Sequence, residues 1–138
     1  MQKFEILPHT ADLRLKVTSD SLHGIYDSAL DGMNSILKNN LTDNDVETRL
    51  TENINIESLD ESMLLIDFLS VLLTLSHKNK AVYNIKEINS KSAVSINAII
   101  EGLEVNGFDE DIKAVTYTEA KIIKNSSGMY EIIIVFDI

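Results

Sequence analysis

Hydrophobic positions along this chain change period several times, and each change marks a new element. In "DLRLKVTS", Leu13, Leu15 and Val17 alternate with Arg14, Lys16 and Thr18, the period-two pattern of a strand with one solvated face. "SDSLHGIYDSALDGMNSILKNN" then sets Leu22, Ile25, Tyr26, Ala29, Leu30, Met33, Ile36 and Leu37 at helical spacing. Ser19 or Asp20 is the expected N-cap, and Asn39 and Asn40 the expected close. From Val46 the even positions Val46, Leu50, Ile54 and Ile56 return to the strand period, interrupted by Thr48 and Glu52. In "SLDE", Ser58 and Glu61 have capping-box spacing, and the helix they open is apolar nearly all round through "MLLIDFLSVLLTL". That is the character of a central, buried helix.

"AVYNIKEI" and "SAVSINAII", separated by "NSK", predict a hairpin whose second run alternates through Val94, Ile96, Ala98 and Ile100. "NGFDED" reads as a loop, and "IKAVTYTEAKIIK" and "MYEIIIVFDI" as two further strands flanking the turn signal "NSSG". The order is strand, helix, strand, helix, then four strands. It predicts an α+β two-layer sandwich, a mostly antiparallel sheet with two helices packed on one face. No repeat or linker divides the 138 residues, so one domain spanning 1–138 is expected, of a size that buries roughly two-thirds of its unfolded surface.

Composition narrows the function classes. With 44% hydrophobic and 25% charged residues the chain is too apolar for disorder. The absence of cysteine removes disulfides, thiolate zinc sites and thiol nucleophiles, and any metal must bind oxygen or imidazole. The start "MQKFEILPHT" lacks the apolar core of a signal peptide, which makes the cytoplasm the expected location. The apolar run from Met63 to Leu75 contains Asp67 and falls short of the ~20 residues of a membrane span. A formal charge of −10 without a Lys/Arg cluster opposes direct, tight nucleic-acid binding. It suits hard cations or a basic protein partner, or serves solubility alone. The five glycines form neither GxGxxG nor GxxxxGK, which excludes nucleotide loops of those kinds.

Three places could carry chemistry. In "PHTADLRLKV", Pro8 sets the backbone before a strand, and His9 and Asp12 serve either as local caps or as site residues. At the other end, "FDI" brings the Asp137 carboxylate next to Ile138; this end is either a frayed terminus or a set of oxygens. If Asp12 lay beside them, the converging anions would call for a cation. Asp67, Ser70 and Thr74 form a narrow polar stripe on the second helix, facing water or a partner. His23 and His77 lack zinc-site spacing.

Four blocks, "HTADL", "LLIDFLSVLL", "IKAVTYT" and "VFDI", stand in the order found in the archease family, and the chain resembles that family over nearly its whole length. The resemblance implies an accessory protein rather than an enzyme. It would activate an RtcB-type RNA ligase of tRNA splicing and RNA repair by promoting ligase guanylylation and multiple turnover. It also implies a divalent-cation site formed by Asp12, Asp137 and Ile138, the last through its carboxylate or main chain. Calcium is the expected metal, and the oxygen set also admits magnesium or manganese. His9, Asp67 and Lys113 are then supporting or partner-contact residues. Where the family reads "DWLNEL" this chain has Phe68, Ser70 and Val71, and where it reads "KAVTYH" this chain has Thr118. Two other readings stand beside this one: a protein-binding module with no metal role, and a metal-dependent hydrolase using the same aspartates with His9 as base.

Overall fold

The computed structural model describes residues 2–7, 12–39 and 49–138. The elements run β1 (Gln2–Leu7), β2 (Leu13–Ser19), α1 (Leu22–Leu37), β3 (Arg49–Glu57), α2 (Glu61–Asn79), β4 (Ala81–Lys91), β5 (Ser95–Glu104), β6 (Ala114–Thr116), β7 (Ile123–Lys124) and β8 (Tyr130–Asp137). Every pairing is antiparallel, and the strands sort into two sheets. The larger runs β1-β2-β8-β6 with β7 also on β8, and the smaller runs β3-β5-β4. The α+β class with two helices on antiparallel sheet is as the periodicity predicts, with the sheet divided in two.

Alternation explains which side of each sheet meets the helices. Leu15 and Val17 of β2 and Ile134 and Phe136 of β8 are fully buried, while their neighbours Arg14 and Lys16 turn outward. On α1, Gly32 allows the close approach: a Cβ there would lie 2.5 Å from Leu15 Cδ2. Helix α2 buries Leu64, Leu65, Ile66, Phe68, Leu69, Leu72 and Leu73, and joins both sheets in one hydrophobic cluster. Tyr26 of α1 meets Phe68 of α2 edge-on, with ring centroids 5.4 Å apart, a favoured aromatic geometry.

Several local expectations shift. The α1 cap is Ser21, whose hydroxyl accepts from Gly24 N at 3.0 Å; Ser19 is instead the last residue of β2, paired with Gln2. The Ser58–Glu61 capping box does not form. Asp60 caps α2, accepting from Met63 N at 2.9 Å, while the Ser58 amide donates to the Val94 carbonyl. Glu61 is drawn away by an ammonium group: Lys91 Nζ donates to both its oxygens at 2.7 and 2.9 Å. A charge-assisted pair outcompetes an amide that already has a partner.

Strand bounds shift for related reasons. Bulges between Ile85 and Glu87 and between Ile88 and Ser90 carry β4 on through "NSK", and this extension delivers Lys91 to Glu61. Val94 then lies in the turn, 46% exposed. "IKAVTYTEAKIIK" contains two short strands rather than one, broken by a turn in which Glu119 has φ 59°. The sequence reading also passes over β1, where Phe4 packs against the core. Asn40, Val46 and Thr48 lie outside the described residues.

Candidate functional site

The two ends of the chain meet in the larger sheet. Strand β2 pairs with β8 so that Leu13 faces Phe136, and β6 pairs with β8 so that Ala114 faces Asp137. Asp12 immediately precedes Leu13 and Asp137 immediately follows Phe136, so continuing that register by one residue sets Asp12 toward Asp137. Asp12, Asp137 and Ala114 thus form a row across three strands. Because Phe136 points into the core, strand alternation turns the row to the outer face, away from the helices. Asp137 is exposed and Asp12 half-buried, with its Oδ1 shielded from solvent. The Lys113 amide donates to the Asp137 carbonyl at 2.7 Å, tying the end of β8 to the approach to β6. The side chain of Lys113 is exposed, and that of Ile138 packs against the core.

The adjacent row on the same face is Arg14, Val135 and Thr116. Arg14 Nε and Nη2 donate to Glu119 Oε2 and Oε1, both at 2.9 Å, a bidentate pair. Val135, the β8 partner of Arg14, is only 4% exposed although strand alternation turns it outward and it is not part of the core cluster. The Glu119 hydrogen bonds hold the Arg14 guanidinium pKa above its usual value, and the Asp12 charge acts in the same direction.

Asp67 lies elsewhere. It is half-buried on α2, and its carboxylate accepts from the hydroxyls of Ser58 and Tyr117, on the helix side of the sheet. That contact, ahead of burial and the Asp67 charge, pushes the Tyr117 hydroxyl pKa up. Of the polar stripe, Thr74 is exposed and Asp67 and Ser70 are half-buried; the Thr74 hydroxyl donates back to the Ser70 carbonyl at 3.0 Å. A cleft of about 390 Å³ opens beside Leu59, Met63 and Asp67, and a hollow of about 260 Å³ beside Ser70, Val71, Thr74 and Leu75. Neither is lined by a residue of the Asp12–Asp137 row.

Lys91, Glu61 and Tyr26 form a partly buried cluster in which the Tyr26 hydroxyl donates to Glu61 at 3.0 Å and Lys91 Nζ sits 5.1 Å from the Tyr26 ring centre. His77 Nε2 lies 2.8 Å from the Ile112 carbonyl, which requires it to donate, and its ring meets Phe108 edge-on. His23 is exposed. His9 and Pro8 lie outside the described residues.

The structure therefore brings Asp12 and Asp137 into one row, with Ile138 and the Lys113 amide beside it, and leaves Asp67 apart. Among the described residues no three His, Cys, Asp or Glu side chains gather as a metal cluster. The donors present are hard oxygens, two carboxylates supplemented by an oxygen of Ile138. Their chemistry fits a small hard cation. Arg14, Glu119 and Tyr117 were not legible as candidates; "PHTADLRLKV" contains Arg14 and "IKAVTYT" contains Tyr117, but nothing in the spacing pairs them with partners.

Two helices on antiparallel sheets, with Asp12 and Asp137 beside the paired ends of β2 and β8, define a small α+β domain. The Archease protein family model matches residues 4–138, and the chain belongs to the archease family. It is 27% identical to the archease of Methanosarcina barkeri over 135 residues, covering 92% of this chain and 90% of that protein. With the archease of Pyrococcus abyssi it shares 26% identity over the full length of both. The fold matches that of protein 1598 of Methanobacterium thermoautotrophicum with a TM-score of 0.73 at 20% identity, covering 98% of each chain. It also matches that of an archease of Thermotoga maritima, described as a possible chaperone, with a TM-score of 0.67 at 14% identity, covering 97% of this chain and 96% of that one.

Proposed function

We propose that this chain is a cytoplasmic, non-catalytic activator of an RtcB-type RNA ligase, in which Asp12, Asp137 and an oxygen of Ile138 hold a divalent cation. Calcium is the leading candidate, with magnesium and manganese compatible with the same oxygens. The observation that supports the reading is the pairing of Leu13 with Phe136, next to which Asp12 and Asp137 stand although 125 positions apart in the chain. When bound, the cation would supply positive charge able to offset negative charge on phosphate oxygens during nucleotidyl transfer.

The chain's own residues would position that charge. Asp12 and Asp137 bind it from adjacent strands, and the Lys113 amide holds the end of β8 in register through the Asp137 carbonyl. His9, Asp67 and Lys113 would support the site or touch the ligase. The formal charge of −10 disfavours RNA as a direct ligand, so the RNA stays with the ligase. Ser70, Val71 and Thr118, which depart from the family's usual residues, would alter that contact surface.

The test is ligase guanylylation, followed with wild type, Asp12→Ala and Asp137→Ala. Stimulation by wild type and its loss in both variants is expected; equal stimulation by all three removes the metal role. That no three His, Cys, Asp or Glu side chains gather as a metal cluster among the described residues favours one second reading, a protein-binding module without a cation. Ligase binding that is unchanged in both variants, with no calcium uptake by wild type, would select it.

A further inference from the structure

One stripe of α2 keeps apolar side chains within reach of solvent. Met63, Asp67, Ser70, Val71, Thr74 and Leu75 recur at intervals of three and four, which places them on one side of the helix. None of them is fully buried. From Met63 to Leu75 the stripe runs about 18 Å, and it contains both hollows of this helix, about 390 Å³ at Leu59, Met63 and Asp67 and about 260 Å³ at Val71 and Leu75. Leu59, in the connection from β3 to α2, is 82% exposed. A lone exposed leucine is ordinary, whereas one lining a cleft beside further apolar side chains belongs to a patch.

Charge distinguishes the candidate occupants. Glu57 and Asp67 line the larger cleft, and Asp60 is exposed beside Leu59. No Lys or Arg occurs from Glu57 to His77, and none lines either hollow; Lys121 lines a different hollow that shares Met63. The Ser58 and Tyr117 hydroxyls bonded to Asp67 bring no countercharge. A second copy of this chain also carries a formal charge of −10, so like charge opposes self-association. A partner with Lys or Arg at the edge of an apolar face matches both the hollows and the acids. A straight stripe on a helix suits another helix laid along it, with anchors at i, i+4 and i+7.

We propose that the α2 stripe, together with Leu59, is a docking surface for a cationic amphipathic helix of a partner protein. The partner's apolar residues would fill the two hollows, and its Lys or Arg would meet Glu57 and Asp67. The inference rests on the reading of this chain as an accessory protein that binds a partner, and uses neither the cation nor the Asp12–Asp137 row.

The probe is a synthetic leucine–lysine peptide of about 14 residues, patterned as an amphipathic helix and long enough to span the stripe. It is titrated into the isotope-labelled full chain and followed by amide chemical shifts, beside a leucine–glutamate peptide of the same pattern. Wild type is expected to bind the lysine peptide with shifts concentrated at Leu59 and from Met63 to Leu75, and not to bind the glutamate peptide. Leu59→Lys and Thr74→Lys, both at exposed positions, are each expected to weaken binding at least about tenfold by setting a like charge in the contact. No binding of the lysine peptide, shifts spread over the whole acidic surface, equal binding of the two peptides, or unchanged affinity in both variants overturns the proposal. Concentration-dependent shifts of the same amides in wild type alone would assign the stripe to a second copy and overturn it too. Ligase stimulation by the Asp12–Asp137 row is read separately, by guanylylation, and survives any of these results.

Discussion

The Tyr117 hydroxyl donates to the Asp67 carboxylate, fastening the turn after β6 to the middle of α2. Asp67 also accepts from Ser58, so a single carboxylate holds three segments together. Tyr117 is 55% exposed, and Tyr117→Phe should cost only about 1 kcal/mol. Asp67→Ala removes both acceptors and should cost about 2 kcal/mol. Urea unfolding of the two variants checks the order; an Asp67→Ala as stable as wild type contradicts the three-way tie.

The Lys91–Glu61 pair is more deeply placed, with side-chain exposures of 7% and 20%. Lys91→Met keeps the volume and leaves Glu61 without its cation beside Tyr26. It should cost about 3 kcal/mol, the scale of breaking a buried pair. Glu61→Gln in that background should return part of the loss, since the stranded charge is then gone. Denaturant midpoints of the single and double variants read this directly.

Tyr26 makes stability depend on alkaline pH. Burial first, and then the Glu61 charge, push its hydroxyl pKa far above the ordinary value. The folded state therefore keeps a proton that the unfolded chain gives up near pH ~10. This contribution is whole below that pH and is lost as pH rises toward the folded pKa, at about 1.4 kcal/mol per pH unit. Tyr26→Phe should show a shallower fall in unfolding free energy between about pH 10 and 11. Parallel curves for the two proteins would contradict it.

Asp12 and Asp137 flank the Leu13–Phe136 pair on neighbouring strands, and like charges directly opposite in a sheet cost a few tenths of a kcal/mol to ~1 kcal/mol. Without divalent cation, Asp137→Asn should melt at or slightly above the wild-type temperature. With calcium, wild type should gain stability by mass action and the variant should not. Scanning calorimetry with and without calcium separates the two effects.

Elements whose signal is local were readable from the chain. The alternation of β2 and β5, the all-round apolar α2 and the "NSSG" turn between β7 and β8 needed only neighbouring residues, as the Asn125 to Met129 and Gly128 to Asn125 hydrogen bonds bear out. What escaped depends on distant partners. Ser58 and Glu61 have cap spacing, but spacing cannot reveal that Lys91 competes for the carboxylate 30 residues on. The positive φ of Glu119 breaks a run that otherwise reads as strand. Arg14 and Glu119 are 105 residues apart, and their pairing exists only once β2, β8 and β6 lie side by side. Asp12 and Asp137 were candidates from their places in the chain and the family resemblance joined them in one ligand set, whereas the strand pairing beside them is a property of the assembled sheet.

The most direct measurement is multiple-turnover RNA joining by an RtcB-type ligase in the presence of wild type or Asp137→Asn, each first shown to be folded. The account predicts that wild type sustains repeated turnover and that the variant leaves the ligase at the rate it shows alone. Equal stimulation by the variant would contradict a role for the Asp12–Asp137 row.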